Sequence, residues 1–97
     1  MKQRPEVSVI VPCYNCASTV GRALDSLAAQ TLSSLELIVI NDGSTDDTAA
    51  VLEQWKEAHP EMDMKLFSKP NVGIAATRTF GVACVSGEYF GFLDSDD

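Results

Sequence analysis

The stretch LELIVINDGSTDDT, residues 35–48, decides the fold. Its first six residues set five apolar side chains around a single Glu36, the short continuous run of a strand buried on both faces. Its last five, STDDT, read as a helix start. Ser44 stands at the N-cap position, and Asp46 and Asp47 in the first turn meet the positive end of the helix dipole, a structural use of both acids. Thr48, Val51, Leu52, Trp55 and Ala58 then form the inner side of the helix, with Trp55 a core residue, until Pro60 stops it. A buried strand that turns directly into a helix is the unit from which parallel sheets are built.

The same unit recurs on either side. Upstream, VSVIV (7–11) is a second doubly buried strand, and Val20, Ala23, Leu24, Leu27 and Ala28 after it make one apolar helical stripe that Ser18 is placed to cap. Downstream come a strand at MKLF (64–67), a helix of weak propensity over about 73–85, and a strand at YFGFL (89–93) expected to be buried on both faces. Strand and helix alternate throughout, so the fold class is α/β: a Rossmann-like parallel sheet with helices on both faces, joined by right-handed crossovers. In such sheets ligands bind beyond the carboxyl ends of the strands, where the strand order reverses.

Composition narrows the function. Ninety-seven residues with 45% hydrophobic and 22% charged content fit one globular domain, residues 1–97. A net charge of -7 with no Lys/Arg cluster argues against a nucleic-acid partner. The polar start MKQRPE and the absence of any apolar run of spanning length point to a cytoplasmic protein, with a peripheral place at the inner membrane face open to the complete protein. Cys13 and Cys16 form a C-x-x-C, but the third cysteine, Cys84, and the lone His59 complete no zinc set, and an odd cysteine count suits a reducing compartment. His59, just before Pro60, suits a helix C-terminus.

Three loops lie at the strand ends: PCYN, NDGS and, last, DSDD (94–97). Asp42 precedes a glycine able to take positive φ, so its carboxylate is expected to project over the crevice. Neither GxGxxG nor GxxxxGK[ST] is present, so a bound diphosphate would need another source of positive charge. DSDD leaves two readings open. It is a solvated acidic turn, or it is a clamp for Mg2+ or Mn2+, which take hard oxygen ligands and relieve the repulsion among Asp94, Asp96 and Asp97.

Taken in order, VSVIVPCYN, SLAAQTLSSLELIVINDGSTDDT, NVGIAATRTFG and SGEYFGFLDSDD resemble the N-terminal half of a family 2 glycosyltransferase of the GT-A fold, over residues 7–97. The resemblance implies a strand order of 3-2-1-4 and a donor-binding half, with the catalytic base and acceptor-binding elements past the D-x-D. It implies that Pro12, Tyr14 and Asn15 embrace the base of a nucleotide sugar, usually a uridine diphosphate sugar, with Asp42 on the pyrimidine and Arg78 nearby. In the D-x-D, Asp96 is implied as the direct metal ligand, Asp94 as a contact to ribose or a metal-bound water, and Asp97 as a further acid behind them. A glycan or lipid is the implied acceptor of the complete enzyme. The family's usual ARN reads Thr77, Arg78, Thr79 here, which removes the asparagine amide. On residues alone, Arg78 also fits a surface salt bridge and Tyr14 a packed aromatic. A nucleotide-binding module without turnover and a phosphoryl-transfer enzyme with Asp94 as nucleophile are the competing functions. The fourth strand, left at an edge, is expected to pair chains into dimers or larger species.

Overall fold

The computed structural model describes residues 7–29, 35–71, 73–85 and 89–93. Strands β1 (Val7–Cys13), β2 (Leu35–Asp42), β3 (Asp63–Lys69) and β4 (Tyr89–Phe92) alternate with helices α1 (Val20–Ala28), α2 (Thr48–Ala58) and α3 (Ile74–Cys84). All pairings are parallel and the order is β3-β2-β1-β4, as expected.

Side-chain alternation sorts the core into two layers. Val11, Cys13, Leu37 and Val39 meet Val20 and Leu24 of α1 and Leu52 and Trp55 of α2. On the opposite face Ile10, Ile38 and Ile40 lie under α3. Close approach is possible there because α3 carries Gly81, where a Cβ would lie 2.4 Å from Ile10 Cγ2. Trp55 is core as expected, and its indole N–H also donates to Asp25 Oδ1 (2.9 Å), tying α2 to α1.

Several local expectations give way to tertiary geometry. β1 and β2 run on through Cys13 and Asp42, so Pro12, Asn41 and Asp42 are strand residues rather than loop residues. Pro12 is tolerated in this inner strand for a geometric reason. Ile10 points its carbonyl at β4, accepting from Leu93 N (3.0 Å), and Pro12, two residues on, faces the same side beyond the last pair, Ile10 with Phe92. Thr19, not Ser18, stands at the start of α1, with Cys16 O accepting from the N–H groups of Thr19 and Val20. Ser44 does not cap α2, which begins at Thr48 with Asp47 at the cap position, so neither acid lies within its first turn; Ala58 is exposed rather than inward. β4 is not covered on both sides: Phe90 and Phe92, on the α3 side, are 49% and 45% exposed.

Below the crevice end, β2 carries a charge inside the sheet. Glu36 is fully buried, accepts from Ser8 Oγ (2.7 Å) and is paired with Lys65 of β3. Hydrogen bonding to Glu36 holds the Lys65 ammonium above its ordinary value of 10.5.

Candidate functional site

The carboxyl ends of β1, β2 and β3 bring together the first two sequence-predicted loops and the residues Asn71 and Gly73 ahead of α3. Asn15 takes positive φ (48°), a conformation asparagine tolerates, which turns the chain away from β1. Its Oδ1 accepts from Thr45 N (2.7 Å) and Asp46 N (3.3 Å), while its own N–H donates to Ser44 Oγ (2.9 Å). Asn15 thus buckles the first loop to the second.

Asp46 completes that buckle. Its carboxylate accepts from Thr48 N (2.9 Å), from the Thr48 hydroxyl, and from Ala17 N (3.3 Å), and the Thr48 hydroxyl in turn accepts from Cys16 N (2.9 Å). The Thr48 hydrogen bond holds the Asp46 carboxyl below its ordinary value of 3.8. The structural role expected for this acid is present, carried by hydrogen bonds ahead of the helix rather than by a place in its first turn. Cys13 and Cys16 lie in the core, 1% and 4% exposed, and are not joined in a disulfide. No group of three His, Cys, Asp or Glu among the described residues could hold a metal ion.

Asp42 is held more tightly than the sequence suggests. The residue is only 4% exposed. Lys69 Nζ lies 3.2 Å from its Oδ1, Gly73 N donates to its Oδ2 (3.1 Å), and Asn71 Nδ2 donates to its carbonyl (3.1 Å). Gly43 supplies the positive φ expected of it (67°), and a Cβ there would lie 2.5 Å from Asn71 N. Only glycine lets the second loop approach Asn71 this closely.

The other candidates divide. Pro12 is buried in the floor where β1 ends. Tyr14 is 52% exposed, not a packed aromatic. Arg78 sets its guanidinium 5.3 Å from the centre of the Phe92 ring of β4. Thr77, where the family pattern has alanine, is fully buried, and its hydroxyl finds no hydrogen-bond partner among the described residues. Asp94, Asp96 and Asp97 lie outside the described residues. Leu93, the last residue described before them, is fixed at the same end of the sheet by its bond to Ile10 O.

Lys69, Asn71 and Gly73 are the site residues that the sequence reading passed over. With the third strand stopped at Phe67, Lys69 fell into a loop. Once β3 extends to it, Lys69 is the register partner of Asp42, an opposite-charge cross-strand pair.

The model of glycosyl transferase family 2 matches residues 8–97, almost the whole chain. The chain belongs to glycosyl transferase family 2. Among its family 2 relatives, the chondroitin synthase of Pasteurella multocida is 43% identical over 93 residues, which are 96% of this chain and 9% of that protein. In solved structures, the mannosyltransferase PcManGT from Pyrobaculum calidifontis, in complex with GDP-Man and Mn2+, superposes with a TM-score of 0.88 at 32% identity, over 97% of this chain and 28% of that one. TarS 1–349 of S. aureus in complex with UDP-GlcNAc gives 0.84 at 32%, over 94% and 26%. The chain therefore spans about a quarter or less of the proteins named here, and the sheet is the GT-A arrangement these structures share. No helix among the described residues is long and apolar enough to cross a membrane.

Proposed function

We propose that the crevice binds the nucleotide of a sugar donor, a uridine diphosphate sugar, as the donor half of a glycosyltransferase whose complete form passes the sugar to a glycan or lipid. The observation that carries this is the Asp42 carboxylate, fixed by Lys69 and Gly73 at the crevice end of the sheet. Held in this way it is a rigid acceptor for a base N–H, with the exposed ring of Tyr14 on the neighbouring loop as an apolar surface for the base. The Asn15 buckle keeps the two loops at a fixed separation, so the site is formed before ligand arrives. Nucleotide sugars in the mannosyltransferase and in TarS support the donor class, and Mn2+ in the former supports a divalent cation.

Asp96 and Asp94 would hold that cation, Mn2+ or Mg2+. When bound it supplies positive charge against the diphosphate, which this chain does not meet with a phosphate-binding glycine motif. Asp42 orients the base, and Arg78, steered by Phe92, places a guanidinium on the side of the crevice toward which β4 leads. Thermal shift against uridine, guanosine, thymidine and cytidine diphosphates, each with and without Mn2+, tests the reading. The largest shift is expected for uridine diphosphate with Mn2+, and no shift with any nucleotide would sink it.

The half-exposed Phe90 and Phe92 make the β4 side the surface for self-association. Light scattering at tens of micromolar is expected to show dimers or larger species, and a clean monomer removes this part of the proposal.

A further inference from the structure

We propose that Lys69 is a positioning residue for base selection: it fixes the Asp42 carboxylate as an acceptor, and so favours uracil, which offers an N–H at its ring N3, over cytosine, which offers a lone pair there. This rests on the reading of Asp42 as the base contact. Lys69 and Asp42 are register partners at the ends of β3 and β2, with side chains 19% and 6% exposed. The ammonium approaches one carboxylate oxygen at 3.2 Å while the Gly73 N–H takes the other at 3.1 Å. Donors from β3 and from the cap position of α3 therefore grip the two oxygens of the carboxylate. A group gripped in this way presents acceptor capacity alone. Uracil N3–H donates to it, whereas cytosine N3 sets lone pair against lone pair and leaves the base nitrogen without a donor in a shielded place. Lys69 need not touch the nucleotide to do this.

The test is isothermal titration of the 97-residue chain with UDP and CDP in saturating Mn2+. The wild-type chain is expected to bind UDP at least about tenfold more tightly than CDP, as a site built around a hydrogen-bonding group should. In Lys69→Met the UDP affinity falls about tenfold and the UDP-to-CDP ratio collapses to within about twofold, because a carboxylate held by Gly73 at one oxygen alone can turn away from the base. Lys69→Arg restores the ratio. Lys69→Gln, which keeps a donor without the charge, repeats the measurement if the methionine variant does not fold, and is expected to lose most of the ratio.

The ratio is the deciding readout, since mere loosening of the fold weakens both nucleotides alike. An unchanged ratio in Lys69→Gln, with Asp42→Asn collapsing it, would mean that Asp42 selects the base without Lys69. The inference would then be overturned and the functional reading would stand. Asp42→Asn that leaves both affinities unchanged overturns the base contact itself, and with it this proposal.

Discussion

Uridine diphosphate with Mn2+, at a hundredfold excess over its dissociation constant, is expected to stabilise the chain by about 2.7 kcal/mol, and Asp96→Asn to abolish most of that gain. The substitution keeps the side chain's shape but removes the anionic oxygen that a hard cation requires. It also removes one of the three acids of DSDD, so the unliganded chain is expected to hold its stability or gain slightly from reduced repulsion with Asp94 and Asp97. Asp47→Asn is the control. That residue stands at the α2 cap position with no side-chain capping bond, and the ligand-induced gain should survive its replacement. Denaturant unfolding at saturating metal and nucleotide measures both. Equal gains in the wild type and Asp96→Asn, each clearly above zero, would move the cation elsewhere.

The largest effect on the fold itself is expected from Lys65→Met, with a loss of about 3 kcal/mol in urea unfolding at neutral pH. Glu36 is fully buried, and the Lys65 ammonium is the cation paired with it. Removing the cation leaves a carboxylate in the sheet interior without the Lys65 charge beside it, the costly way to break such a pair. The estimate sits at the low end of the range because the Lys65 side chain is 45% exposed, where solvent screens the attraction. Replacing both partners, Glu36→Leu with Lys65→Met, is expected to recover most of the loss, since apolar residues of similar volume carry no desolvation cost. The sign with pH follows from the raised Lys65 value. The pair's contribution is complete below 10.5 and fades as pH rises through the higher folded-state value, so alkaline destabilisation should be larger in the wild type than in Lys65→Met. A single variant as stable as wild type would show that Ser8 and the surrounding backbone satisfy Glu36 unaided.

Sheet and site were legible to different depths. VSVIV and LELIVI fixed two inner strands because apolar β-branched runs of that length have few other ways to bury themselves, and the stripe from Val20 to Ala28 fixed α1 through the helical repeat. Helix starts were less legible. Asp46 carries the signature of a first-turn acid, yet it bonds Thr48 and Ala17 from outside the helix, because the partner loop from β1 comes within reach and offers a backbone N–H. Capping rules weigh only neighbours in sequence, and here a donor 29 residues away competes.

The candidate site shows the same division. The sequence by itself determined that an acid, Asp42, would stand at the mouth of the second strand before a glycine of positive φ, because both features depend on residues adjacent in the chain. It determined equally that the alternating pattern would make a parallel α/β sheet, since burial and backbone geometry act locally and repeat. Only the tertiary structure decided what holds that acid: Lys69, 27 residues on, and Gly73, 31 residues on, meet one carboxylate because β3 pairs in register with β2 and α3 starts beside them. It also decided that Asn15 would grip the second loop and that Arg78 would lie over Phe92. The physical reason is that periodicity is written in each segment's own residues, whereas a shared hydrogen-bond partner exists only once crossovers have carried separate strand ends to one place.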